Sequence, residues 1–283
     1  MARTRKLFAA LTRRGPHQVL RGDLAFAGLP GIVYTPASGY NLPAVAFGHD
    51  WLTEVDHYAT TLEHLASWGI VAAAPNTERG LAPSVLNLAF DLGTTLDIIT
   101  GVRLGPGSIS VHPTKLGLAG HGFGGSAAVF TAAGLAGAGQ NAPKAVAALF
   151  PSVTKPPARQ PAATLKVPGL VLSAPDDPQS LRTDAQDLAR VWNGSVLRVV
   201  SKSTASGLAE KRRFARVLGM PGSDRGTQKT VRALLTGYLL FQLTGDKAYR
   251  EFADPEAVLP KTEQPDADAP TLTPEDRIVA LLR

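Results

Sequence analysis

Between residues 20 and 245 the chain alternates short, unbroken apolar runs with longer stretches whose apolar residues recur at helical spacing. Gly31–Tyr34, Pro43–Phe47, Ile70–Ala74, Leu116–Ala119, Ala145–Phe150, Gly169–Ser173 and Val196–Val200 are runs of strand length bounded by turn residues. Tyr58–Trp68, Ser84–Val102, Phe123–Ala136, Leu181–Trp192 and Thr230–Leu243 carry the helical period. Strands that are apolar on both faces and separated by helices predict an α/β protein. Its central sheet is mostly parallel, with helices on both faces. Right-handed crossovers then gather the functional loops at the carboxyl ends of the strands.

The two ends break the pattern. Residues 1–13 are a basic segment, and residues 14–258 hold the α/β domain. Residues 259–272 are rich in Pro and charge and read as a linker. In 273–283, Thr273 as a hydroxyl cap, Pro274 after it and Asp276 three residues on predict a short helix. Its apolar edge, Ile278, Leu281 and Leu282, is expected to dock on the protein's own body, with a partner as the lesser alternative. At the front, Leu7, Phe8 and Leu11 would share one helical face between cationic flanks. The expectation there is a solvated tail, with weak contact to a membrane surface as the alternative.

Composition narrows the class. With 283 residues, 44% of them hydrophobic, the chain can bury a sizeable core. No cysteine is present, which excludes disulfides, thiolate metal sites and a Cys nucleophile. No apolar run approaches the ~20 residues that span a bilayer. The apolar stretch Leu7–Leu11 is too short for a signal peptide, so the expected location is the cytoplasm, or the membrane periphery through the basic front. The net charge is +6. Lys211, Arg212, Arg213 and Arg216, with Phe214 among them, raise nucleic-acid binding. Dispersed arginines more often make a solvated surface, so that partner is not expected.

The sharpest local signal is Leu116-Gly-Leu-Ala-Gly120-His121-Gly122-Phe123-Gly124-Gly125, a strand, a glycine-rich turn and a helix. It has the shape of a nucleophile elbow, G-x-S-x-G, in which glycines let strand and helix nearly touch. It also fits G-x-G-x-x-G. A dinucleotide site wants an acid ~20 residues on, yet no Asp or Glu occurs from Gly125 through Pro175. No cofactor is therefore expected. An anion held by bare N–H groups at the helix start remains a weaker reading.

Around this turn the chain resembles the α/β-hydrolase superfamily, within it the dienelactone hydrolase and chlorophyllase group and the bacterial cutinase-like polyester hydrolases. The similar stretches are Arg14-Gly15-Pro16, Ile32-Val33-Tyr34-Thr35-Pro36, Phe47-Gly48-His49-Asp50 and Leu65-Ala66-Ser67-Trp68-Gly69-Ile70-Val71. His112-Pro113-Thr114-Lys115-Leu116-Gly117 leads into the elbow. Val167-Pro168-Gly169-Leu170-Val171-Leu172 and Gly245-Asp246-Lys247-Ala248-Tyr249-Arg250-Glu251-Phe252 follow. The order and spacing of these pieces, over about residues 14–257, carry the resemblance.

The resemblance implies carboxylic ester hydrolysis by a Ser-Asp-His triad, and this chain departs from it at two positions. Gly122 stands in the nucleophile slot and offers no attacking atom. None of the six histidines, His17, His49, His57, His64, His112 and His121, follows the elbow except its own neighbour His121. Thr204, in Ser201-Lys202-Ser203-Thr204-Ala205-Ser206, holds the slot of the base. Asp177, or Asp176, holds that of the acid. The expectation is a pseudo-hydrolase that binds an acyl or ester-like ligand, or a protein partner. The alternatives are an ester hydrolase with an atypical site, using Ser126 or Asp177, and an anion or nucleotide binder. His49, Asp50, Trp51, His121 and Phe123 are the candidate ligand-binding residues. No metal site is expected, since His57 and His64 lie seven apart with no third ligand.

Overall fold

The computed structural model describes residues 2–137, 142–210 and 222–264. The strands are β1 (Val19–Asp23), β2 (Gly31–Pro36), β3 (Gly39–Gly48), β4 (Val71–Pro75), β5 (Ile109–His121), β6 (Ala145–Leu149), β7 (Gly169–Ser173), β8 (Ser195–Val200) and β9 (Thr262–Glu263). The helices are α1 (Ala2–Leu11), α2 (Ala59–Ser67), α3 (Val85–Gly101), α4 (Phe123–Gly137), α5 (Arg159–Ala162), α6 (Ala185–Val191) and α7 (Arg225–Thr244). Among the described residues the strands form one sheet in the order β1-β2-β4-β3-β5-β6-β7-β8-β9. The pairs β1–β2, β2–β4 and β8–β9 are antiparallel, and the others are parallel.

The strand pattern explains the layers. Successive side chains of a strand point to opposite faces. Val45 and Phe47 of β3 join a core cluster with Leu62 and Leu65 of α2 and Leu235 and Leu239 of α7. Ala44 and Ala46 join a second cluster with Leu88 and Leu92 of α3, Val129 of α4 and Leu188 of α6. Both sheet faces are therefore covered, as the unbroken apolar runs predict. No helix among the described residues is long and apolar enough to cross a membrane.

Caps place the helix ends. The Ser84 hydroxyl accepts from the Asn87 N–H at the start of α3. The Glu210 carboxylate accepts from the N–H groups of Thr60 and Thr61, 3.0 and 3.1 Å away, at the start of α2. Arg232 of α7 lies 4.0 Å from the same carboxylate. The segment after β8 is thus tied to a helix on the far side of the sequence.

Several elements differ from the sequence expectation. β1 is an edge strand with mostly exposed side chains, so no apolar run marks it. β5 begins at Ile109 rather than at Leu116; its first half carries no apolar run because His112, Pro113 and Thr114 are not buried. α6 starts only at Ala185, after a 3-10 turn at Asp177–Gln179. The basic front is not a loose tail: α1 buries Phe8 and Leu11 in the cluster that contains α7. Leu259 is buried and Thr262–Glu263 pair with β8, so the sheet reaches into the segment read as a linker. The remainder of that segment from residue 265, the helix expected at 273–283 and the Lys211–Arg216 cluster lie outside the described residues.

Candidate functional site at the β5–α4 turn

β3 and β5 run side by side and in parallel, with Phe47 opposite Ala119 and Gly48 opposite Gly120. Their carboxyl ends therefore finish level. Asp50 lies two residues past one, and Gly122 one residue past the other. A Cβ on Gly120 would stand 2.2 Å from the Gly124 carbonyl oxygen, and one on Gly124 2.2 Å from that of Gly48. Strand and helix touch here.

Gly122 has φ +53°, the left-handed region that glycine enters without penalty. Its carbonyl accepts from Gly125, Ser126 and Ser152 N–H groups at 3.0, 3.2 and 3.1 Å. The turn is held rigidly. A Cβ at 122 would point straight at the Asp50 carboxylate, 2.0 Å from its Oδ1. That same oxygen accepts from the Phe123 N–H at 3.0 Å. In a working elbow the N–H after the nucleophile stabilises the oxyanion. Here a carboxylate of the chain itself sits on that donor, in the space a nucleophilic side chain would take.

A hydrogen-bonded chain fixes Asp50 from behind. Its N–H donates to the Tyr58 hydroxyl at 3.1 Å. Thr53 Oγ1 donates to its carbonyl at 2.6 Å. His49 is fully buried, with Nδ1 2.9 Å from the Asp50 carbonyl and Nε2 2.7 Å from that of Thr77. It ties the loop after β3 to the loop after β4 rather than lining a pocket. Trp51 is half-exposed, and its indole N–H donates to the Leu81 carbonyl at 3.2 Å. With exposed Leu52 and Leu81 it forms an apolar rim.

His121 is buried as well. Its Nε2 lies 2.7 Å from the Ala205 carbonyl and so carries the proton, while Nδ1 accepts from the Tyr58 hydroxyl at 2.7 Å. Phe150 and Tyr58 meet its ring edge-on. The loop after β8 therefore reaches the β5–α4 turn, through Ala205. Its residue Thr204 offers no imidazole, and His121 is committed to holding that loop in place. No match is found for this chain among protein-family models or among curated proteins.

The remaining candidates go elsewhere. Asp177 is 2% exposed, and its two oxygens accept from the N–H groups of Ala185 and Gln186 at 3.2 and 3.0 Å. It caps α6. Asp176 is exposed on the same turn. The Ser126 hydroxyl is fully buried and donates to the Ser152 carbonyl at 2.6 Å, which makes it a packing residue of α4. Phe123 is buried beneath the turn, in the cluster with α3. Among the described residues no group of three or more His, Asp or Glu stands ready for a metal. Sequence reasoning missed Tyr58, which joins Asp50 to His121. Nothing in the local pattern marks it, because its two partners come from the ends of β3 and β5.

Proposed function

We propose that this protein is a non-catalytic member of the α/β-hydrolase superfamily, which keeps the scaffold and binds a ligand where its relatives would cleave one. One observation carries the reading. The Asp50 carboxylate occupies the Phe123 N–H and fills the space in front of Gly122. The parallel strands, the glycine turn at the end of β5 and the loops of β3, β7 and β8 support the scaffold. Gly122, Thr204 and the capping role of Asp177 support the loss of chemistry. Without nucleophile and base, a triad site retains binding and oxyanion stabilisation at most, and here the oxyanion donor is also taken.

The same geometry disfavours an anionic ligand. An incoming carboxylate or phosphate would have to displace Asp50 from Phe123, against its charge. A neutral acyl or ester group, or the apolar surface of a protein partner, meets Trp51, Leu52 and Leu81 without that cost. The test is to incubate the purified protein with short p-nitrophenyl esters and a fluorophosphonate probe. The expected result is no turnover above the buffer rate and no covalent label. A label mapped to any residue during turnover would make the protein an enzyme and end this reading. For binding, a short-chain ester should shift the emission of Trp51, and Trp51→Ala should remove the shift. An unchanged shift in that variant places the ligand elsewhere.

A further inference from the structure

The fold uses one face of α1 and leaves the other bare. Thr4, Phe8 and Leu11 are buried and Leu7 is half-buried. The Thr4 hydroxyl donates to the Glu251 carboxylate. At 100° per residue these four fall within one arc of the helix. The opposite arc carries Arg5, Lys6, Ala9 and Ala10, with Arg3 at its border; Arg13 follows two residues past the helix end, and all six are exposed. The helix contains no acidic residue. Arg14 is neutralised by Glu63 at 2.7 Å, but Arg3, Arg5, Lys6 and Arg13 carry no ion pair among the described residues. Two small alanines lie between the cations, so the face is flat as well as positive.

From this we infer that the outer face of α1 is an electrostatic docking surface for an anionic lipid bilayer. Two features favour lipid over nucleic acid. The cations line one side of a helix packed along the protein body, which suits a plane of phosphates. The face has no aromatic side chain on which a base could stack. The apolar side chains are spent on the core, so attraction comes from charge alone.

The inference also orients the molecule. Gly15 N–H donates to the Ser67 hydroxyl, His17 N–H to the Ser67 carbonyl and the Trp68 indole to the Arg13 carbonyl. Ser67 and Trp68 lead into the amino end of β4, whereas the Gly122 turn lies at the carboxyl ends of the strands. The carboxyl end of α1, with the Arg13–His17 segment that follows it, is therefore fastened at the end of the sheet opposite the Gly122 turn. Docked through α1, the protein would hold the Trp51 rim away from the surface.

The test is co-sedimentation of the full chain with vesicles of phosphatidylcholine alone or doped with phosphatidylglycerol. A cation held at an anionic surface adds roughly fivefold to binding, so four add roughly 600-fold. The expected result is retention on the doped vesicles, none on phosphatidylcholine, and release as salt rises and the Debye length shrinks from ~10 to ~3 Å. The variant R3Q/R5Q/K6Q/R13Q should lose the binding and keep the thermal midpoint, since all four side chains are exposed. The control K166Q/R182Q, which removes two exposed cations outside α1, should bind as the parent does. Equal retention of the α1 variant overturns the proposal, as does equal loss in the control. Salt-resistant binding to phosphatidylcholine would point to insertion of an undocked helix and would overturn it too. Binding to duplex DNA without vesicle binding would replace lipid by nucleic acid.

Discussion

Gly122 and Asp50 are best understood as a pair, because each makes the other tenable. The positive φ at 122 strains any residue with a Cβ, by about 1–3 kcal/mol. Asp50 adds a second obstacle, since its Oδ1 lies 2.0 Å from the position of that Cβ. The obstacle is a side-chain end, so it can swing away, at the loss of a charge-assisted bond to the Phe123 N–H. Gly122→Ser is therefore expected to lower stability in urea unfolding and to gain no esterase activity. Asp50→Ala alone should cost roughly 1 kcal/mol, the usual loss for an acceptor at a helix N-terminus. The two should not add: in the Asp50→Ala background, Gly122→Ser meets only the backbone strain. Full additivity in a double-mutant cycle would mean that Asp50 does not occupy the space.

At the scale of elements, a cap explains what the candidate acid Asp177 does. Asp177 accepts from both Ala185 and Gln186 and so starts α6. Asp177→Ala should cost about 1 kcal/mol, and Asp177→Asn much less, because an amide oxygen caps nearly as well. On the proposed reading, neither should change ligand binding beside the β5–α4 turn. A binding defect with unchanged stability would return Asp177 to the site. The sequence shows β7, β8 and the glycine turn clearly, since unbroken apolar runs and a glycine cluster leave few other structures. It does not show Asp50 on the Phe123 N–H. That contact follows from the register that sets Gly48 beside Gly120, a pairing between residues 72 apart by number. Nor does it show β1, whose side chains are mostly exposed, or the capping of α2 by Glu210 from beyond β8.

Over the whole molecule the least legible feature was the front of the chain. Three apolar residues in a basic segment do not say whether they face a membrane, a partner or the protein's own core; only the presence of α2 and α7 decides it. The junction that results has a consequence for pH. His64 of α2 is 6% exposed, and its Nε2 is buried without a hydrogen-bond partner. Burial, and then the Arg232 guanidinium, lower its pKa from 6.5 to about 4, while the Leu11 carbonyl of α1 opposes the shift. Arg232 is itself balanced by Glu210. The unfolded chain therefore takes up a proton here below about pH 6.5, whereas the folded chain resists until about pH 4. Unfolding consumes a proton in that window, so stability falls as the medium is acidified and is flat above it. The loss is on the order of 3 kcal/mol across the window. His64→Leu keeps a side chain of similar volume and removes the titration. Its stability relative to the parent, from chemical denaturation, should rise steadily as pH falls from about 7 to about 4. A constant difference across that range would show that His64 titrates in the folded protein as it does in the unfolded chain, and that the α1–α2–α7 junction admits water.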